Sequence, residues 1–103
     1  MKRKEKTVVG IAWYRLEQWA DLKEFCEDRY DMDATYDIWR KGAEKAMNDL
    51  RRDGQEVEIV DFDLDKFKTW CLANQKRPVA ASRSEFTVLM LRDAHTQGSP
   101  VGQ

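Results

Sequence analysis

Two stretches of the chain carry the same succession of apolar and polar residues. One begins at Val8 with VVGIAWYRLEQW, and the other begins at Val57 with VEIVDFDLDKFKTW. An offset of 48 residues places Val9 on Val57. Both stretches open with the β-branched and aromatic residues that are typical of strands. The pattern predicts two strands, at residues 8–14 and 56–62, and a candidate internal repeat.

Behind each predicted strand, apolar residues recur three and four positions apart, which predicts amphipathic helices. The first such series contains Leu16, Trp19, Leu22 and Phe25. The acidic stretch EDRYDMDAT and the connection NQKRPVAA, which contains Pro78, interrupt the pattern. The four predicted helices cover residues 15–29, 35–53, 63–74 and 82–95.

Polar residues at the helix boundaries support these limits. Thr35 and Asp63 are suited to accept backbone N–H groups at the start of a helix, and Gly54 is suited to end one. Ser82 and Glu85 stand three residues apart, the spacing of a capping box. The fourth helix is therefore predicted to begin at Ser82.

The predicted fold is one α+β domain, residues 1–103, made of two βαα units. The units cover residues 7–54 and 55–95, and a chain of this length is too short to hold two independent cores. Residues 1–6 and 96–103 have no apolar face to bury and are predicted to be disordered.

The order of elements predicts the direction of the second strand. A strand running up, a helix running down and a helix running up would require the next strand to run down. The two strands are therefore predicted to be antiparallel, with a two-fold axis relating the halves. In the alternative interpretation, two unrelated elements share one binary pattern.

The helices carry aromatic residues at equivalent inward positions, and these are predicted to form the core: Trp19, Trp39, Phe67 and Phe86. Two strands and four short helices leave apolar surface uncovered, so we expect a symmetric homodimer. Its predicted interface combines the outer strand face with one side of the fourth helix: Tyr14, Phe62, Val88 and Leu91.

Composition narrows the classes of partner. The 103 residues include 18 basic and 19 acidic side chains, so the net charge of −1 provides no bulk attraction to nucleic acid. No apolar run approaches the roughly 18 residues of a membrane span, and the N-terminus lacks the apolar segment of a secretory signal. A cytoplasmic protein is expected. Cys26 and Cys71 match no metal or redox spacing, which predicts two reduced, buried thiols.

Asp61 and Asp63 end the second strand in the pattern Asp-x-Asp, as in haloacid-dehalogenase-type phosphatases, where the first Asp is the nucleophile. Such enzymes need a parallel sheet and further motifs, so a helix cap at Asp63 is the favoured interpretation. A calcium loop would place Lys66 and Leu72 where Gly and Glu are required. His95, the only histidine, has no partners for a triad or a metal site. No catalytic residue, metal or cofactor is predicted.

A candidate binding site lies at the junction of the first strand and the first helix. Trp13, Tyr14 and Arg15 combine aromatic faces with a cation near the start of a helix, which suits an anion. Asp61 and Asp63 form the matching junction of the second unit and complete the candidate set, although the two-fold would leave Arg15 far from them. In the alternative interpretation, core aromatics lie beside a solvated arginine.

The motifs GIAWYRLEQW, TYDIW, VDFD, KFKTWC and ASRSEF resemble those of a group of short, uncharacterised bacterial proteins. The resemblance covers most of residues 8–92 and implies a small, stand-alone bacterial protein, with no implied activity or substrate. From the residues themselves, we expect a protein-interaction module without catalysis. The alternatives are a domain that binds a small ligand or anion at the strand–helix junction and, third, an Asp-x-Asp phosphohydrolase.

Overall fold

The computed structural model describes residues 8–98, which form an α+β fold in the predicted order of elements. Its elements are β1 (Val8–Trp13), α1 (Trp19–Phe25), α2 (Tyr36–Arg52), β2 (Glu56–Asp61), α3 (Leu64–Asn74) and α4 (Ala80–Gly98). α4 extends into the C-terminal segment predicted to be disordered; residues 1–7 and 99–103 lie outside the described residues. None of these helices has the length and hydropathy that a bilayer span requires.

β1 and β2 form a parallel sheet, so the predicted antiparallel pairing is wrong. An antiparallel second strand would require two full traverses of the domain between the strands. α1, however, has seven residues and is about 10 Å long, whereas α2 has 17 residues and is about 25 Å long. α2 alone carries the chain back to the starting end of the sheet, and the connection becomes a crossover between parallel strands.

The sequence offset of 48 residues is the register of the sheet. Val9 lies beside Val57, and Ile11 lies beside Ile59. Matching residues of the two patterns are therefore neighbours across the strand pair, and they are not related by the predicted two-fold. Duplication of the two halves stays a prediction, because any two paired strands with shared faces need the same alternation.

Different helices cover the two faces of the sheet. Gly10 lies on the α4 face, where an added Cβ would be 3.0 Å from Leu91 Cδ2 and 3.3 Å from Val60 Cγ2. Trp13 has the opposite parity and contacts Trp39 of α2, with 5.3 Å between ring centroids. The missing side chain at Gly10 is what allows α4 to approach β1 this closely.

Aromatic rings build the core beyond the end of β2. Phe62, Phe67 and Phe86 are each at most 1% exposed, and their ring centroids lie 5.1 to 5.4 Å apart in tilted or edge-to-face arrangements. Trp19 is also buried, so three of the four predicted core aromatics are confirmed. Trp39 is half-buried, because it lies on α2 over the edge of the cluster.

Two of the predicted helix caps are present. Thr35 Oγ1 accepts a hydrogen bond from the Ile38 N–H at 3.2 Å, and Asp63 Oδ1 accepts one from the Lys66 N–H at 3.1 Å. Gly54 follows α2 with a φ of 90°, a conformation that glycine adopts without strain. The boundaries of α2 and α3 therefore follow from local sequence.

The predicted capping box at the start of α4 is wrong. α4 begins at Ala80, and Ser82 is buried within it. Glu85 Oε1 lies 3.2 Å from Lys76 Nζ and does not return to the helix start. The Ala80 N–H instead donates to Asp28 Oδ2 at 3.0 Å. A residue from the distant loop after α1 thus caps α4.

Candidate functional site

A buried arginine connects α4 to the loop after α1. Arg83 is 8% exposed, and it donates from Nη1 to Asp28 Oδ1 at 2.9 Å and from Nη2 to Asp28 Oδ2 at 3.2 Å. Its Nε donates to the Tyr14 hydroxyl at 3.2 Å, and Nη1 also lies 3.2 Å from Cys26 Sγ. The planar guanidinium suits this bidentate carboxylate contact. Arg83 therefore fixes α4 against the end of β1.

The Arg83 network holds one ion pair and two neutral groups. Hydrogen bonding to Arg83 keeps the pKa of Asp28 below its ordinary value. Burial alone would lower the pKa of Arg83, but the hydrogen bond with the Asp28 carboxylate and the charge of that carboxylate raise it. Burial raises the pKa of Tyr14 and of Cys26, so both stay protonated at neutral pH. A buried thiol with a raised pKa is a poor nucleophile, which agrees with the predicted structural role of Cys26.

A cleft of about 250 Å³ lies between β1 and α4, next to this network. Its β1 side is formed by Gly10, Ala12 and the following Tyr14, and its other side by α4. No β2 residue lines it, so the cleft opens on the side of β1 away from β2. Arg83 and Tyr14 close one end, and Val88, which is 45% exposed, lies toward the other. We call this feature the β1–α4 cleft.

The free edge of β1 meets this cleft. The Phe62 N–H donates to the Trp13 C=O at 3.0 Å, so the backbone groups of Trp13 point toward β2. Backbone groups of successive strand residues alternate between the two edges, so those of Gly10 and Ala12 point away from β2. Within residues 8–98, these outward groups have no hydrogen-bond partner. We call this row of backbone groups the β1 edge.

The predicted acids and arginine of the strand–helix junctions come together. Arg15 Nε lies 2.9 Å from Asp61 Oδ1, and Arg15 Nη2 lies 2.5 Å from Asp61 Oδ2 and 3.9 Å from Asp63 Oδ2. The prediction that Arg15 stands apart from them is wrong, because parallel strands end at the same edge of a sheet. Hydrogen bonding to Arg15 keeps the pKa of Asp61 low. Asp61 and Asp63 both lie against Arg15, and an anionic ligand would have to compete with these two carboxylates for the cation.

Trp13 and Tyr14, the other predicted binding residues, belong to an aromatic cluster. Tyr14 lies 4.9 Å from Trp39 between ring centroids, and Trp19 lies 5.9 Å from Tyr36. The Tyr36 hydroxyl donates to the Tyr14 C=O at 3.0 Å. These contacts favour the interpretation of Trp13 and Tyr14 as packing residues, although the Tyr14 ring also reaches the β1–α4 cleft.

The sheet is parallel, as a phosphatase of the Asp-x-Asp type requires. Asp61 and Asp63, the two acids of that pattern, nevertheless make structural contacts. Asp61 pairs with Arg15, and Asp63 caps α3. The acidic run after α1 is engaged in part as well, since Asp28 binds Arg83 and Glu27 Oε1 lies 2.6 Å from Arg77 Nη2. In the described part of the chain, no three His, Cys, Asp or Glu side chains are grouped as a metal site would require.

The predicted interface residues divide into three kinds. Phe62 is 1% exposed within the core, so the prediction that it lies in an interface is wrong. α4 packs over the strand face that was expected to form the interface. Leu91 is half-buried against Gly10. Tyr14 and Val88 both line the β1–α4 cleft. Tyr14 and Val88 are therefore the two predicted interface residues that lie on the cleft.

A second concave surface lies between α3 and α4. This groove of about 390 Å³ contains the rings of Trp70 and Phe86 together with Met90 and Ala73. Of these residues, only Phe86 was predicted to belong to the core. Nearby on α3, Leu72 is 82% exposed and contributes to no core contact.

Sequence reasoning missed Arg83 and Asp28 as linked residues. Arg83 stands three residues before Phe86, on the buried stripe of α4, and a charged residue at such a position signals a buried ion pair. Nothing in local sequence identifies Asp28 as its partner, because the two are 55 residues apart.

Comparison of the chain with protein-family models, with curated proteins and with solved structures finds no match. The resemblance to a group of bacterial proteins therefore stays a prediction, and function is inferred from geometry alone.

Proposed function

We propose that this protein is an interaction module that binds an extended chain segment along the β1 edge, without catalysis. The observation that carries the proposal is the β1 edge beside the β1–α4 cleft, which no other strand among residues 8–98 pairs with. The proposed function is the interaction module predicted from the sequence, but its binding surface is the edge of β1 and no longer the outer face of the strands. The predicted homodimer would supply one partner of this kind.

Backbone chemistry supports an extended partner. The outward N–H and C=O groups of Gly10 and Ala12 match the groups that another strand presents along its own edge. Exposed strand edges bind added strands in many peptide-recognition domains, where main-chain hydrogen bonds provide affinity and side-chain pockets provide specificity. A globular ligand without a strand would leave these backbone groups to water.

The shape of the cleft supports the same partner. Gly10 and Ala12 are the smallest residues of β1, and they leave room between the strand and α4 for side chains from a bound segment. Arg83 is held by Asp28 and is not a free cation, so the cleft does not select for anions. At its closed end, the Tyr14 hydroxyl accepts from Arg83 Nε and keeps its own O–H to donate to a bound segment.

The two alternatives from the sequence have less support. An anion at the strand–helix junction would have to compete with Asp61 and Asp63 for Arg15. A phosphohydrolase would have to release Asp61 from the same pair before it could act as a nucleophile. Both alternatives lose the free cation or free carboxylate on which they depend.

The test is a selection of short random peptides displayed on phage, followed by amide chemical-shift mapping with synthesised binders. We expect the selected peptides to shift the amides of Gly10 and Ala12, and Ala12→Pro to weaken binding about tenfold or more, because proline removes an outward N–H. Leu72→Arg, on the exposed face of α3, is the control and should bind as the unaltered protein does. Binders that shift Trp70 and Met90 in the α3–α4 groove instead would contradict the proposal.

A further inference from the structure

We propose that the segment bound at the β1 edge is β1 of a second copy of this chain, which creates a four-stranded sheet with the two β1 strands antiparallel at its centre. This inference rests on the proposed function of the β1 edge and names its partner. A two-fold axis would pass near Gly10 and Ala12, so that the same backbone groups meet from both copies.

Charge distinguishes the two strands of the sheet. β1 reads VVGIAW and has no charge or proline, whereas β2 reads EVEIVD and carries Glu56, Glu58 and Asp61. Natural proteins protect free strand edges with charges, prolines or bulges. β2 is protected in this way, and β1 is not. Two copies of β1 meet without charge repulsion, whereas two copies of β2 would set carboxylates against each other.

The position of α4 is compatible with a second copy. Leu91 lies against Gly10, and α4 packs against residues of both β1 and β2, so α4 lies over the pair of strands. In a continuous sheet with strands about 4.8 Å apart, the two copies of α4 would lie about 10 Å apart. Packed helices are separated by about 8 to 10 Å. The second copy therefore brings its α4 to packing distance without rearrangement of the fold.

The residues of α4 that line the cleft suit such a contact. Ser84 and Val88 are exposed, small and uncharged, and they are four positions apart on one side of the helix. The charged Glu85 lies on another side, and Arg92, one turn beyond Val88, bounds this surface. β1 and the Ser84–Val88 side of α4 form one surface, on which the charge of Arg83 is buried and paired with Asp28, and a second copy can bury this surface as a unit.

Sedimentation equilibrium of the chain between about 1 and 100 μM, a range that reveals micromolar dissociation constants, tests the inference. We expect a species of twice 12.1 kDa at the upper end, with amide exchange at Gly10 and Ala12 slowing as concentration rises. Val88→Arg should raise the dimer dissociation constant about tenfold or more, because the new charge must be desolvated. Leu72→Arg, the same new charge at a residue of α3 that is 82% exposed against 45% for Val88, should leave the constant unchanged.

Three results would overturn the inference. A chain of 12.1 kDa at every concentration would exclude the second copy, and if random peptides still bind the β1 edge, the proposed function would survive. A dimer that Val88→Arg does not weaken would place the interface elsewhere. A dimer whose Gly10 and Ala12 amides exchange as fast as in the monomer would also place the interface elsewhere. Because Val88 is exposed, Val88→Arg is expected to stay folded, and circular dichroism checks this.

Discussion

At the scale of single residues, Arg83 shows how one buried charge organises three segments. Its guanidinium binds Asp28 in the loop after α1 and the hydroxyl of Tyr14 after β1, and Asp28 also caps α4 through the Ala80 N–H. A buried charge without a partner is costly, so the fold must keep Asp28 in place. The loop after α1 packs Cys26 and Met32 against the core, and this requirement holds its Asp28 against α4.

Asp28→Asn should lower the free energy of unfolding by about 3 kcal/mol, because it leaves Arg83 buried beside a neutral partner. Urea denaturation followed by tryptophan fluorescence measures the change. Asp33→Asn, an exposed acid in the same loop, is the control and should change stability by less than about 0.5 kcal/mol. Equal losses in the two variants would mean that the Arg83 pair contributes no specific stability.

At the scale of elements, the approach of α4 to β1 depends on a position without a side chain. Gly10 is the place where Leu91 reaches the strand, and Val60 closes the contact from β2. The alternation of β1 predicts an inward-facing residue at this position, but nothing in the strand pattern indicates which helix covers it. Helix limits were predictable where the caps are local, at Thr35 and Asp63, and were missed at α4, whose cap is remote.

Gly10→Ala should destabilise the protein by about 1 kcal/mol or more, since the new methyl group forces Leu91 and Val60 to move. Gly42→Ala is the matched control. Gly42 lies inside α2, where an added Cβ meets no atom within 4 Å, and alanine there should stabilise the helix by about 1 kcal/mol. Thermal unfolding of both variants measures the two changes. Shifts of the same sign would show that α4 does not pack tightly on Gly10.

At the scale of the whole molecule, acid-sensitive contacts connect elements that are distant in sequence. Asp28 and Asp61 both have pKa values held below the ordinary value by hydrogen bonding to an arginine. A carboxyl group whose pKa is lower in the folded state contributes its stability above the unfolded pKa and loses it as pH falls through the folded pKa. Both pairs therefore stabilise the fold at neutral pH and weaken in acid.

The free energy of unfolding should fall as the pH drops below about 4, the ordinary pKa of an aspartate. Asp28→Asn should flatten that decline, because it removes a titrating group that is mostly buried. Asp61→Asn should flatten it less, since the Asp61 side chain is 65% exposed and solvent screens its pair with Arg15. Urea titrations at several pH values between about 2 and 7 measure the slopes. A larger effect for Asp61→Asn would contradict the assignment of Asp28 as the main acid-sensitive residue.

The sequence by itself determined the order of elements, two of the helix caps, the burial of the thiols and most of the aromatic core. Periodicity and capping act between residues a few positions apart, so they can be predicted from the sequence. Tertiary structure alone decided the direction of β2, the pairing of Arg15 with Asp61 and of Arg83 with Asp28, and the cleft beside Gly10. Each depends on how far a helix carries the chain before the next strand begins. α1 proved too short to reverse the direction of β2, and the parallel sheet that followed brought the junction acids to Arg15 and left the β1 edge open.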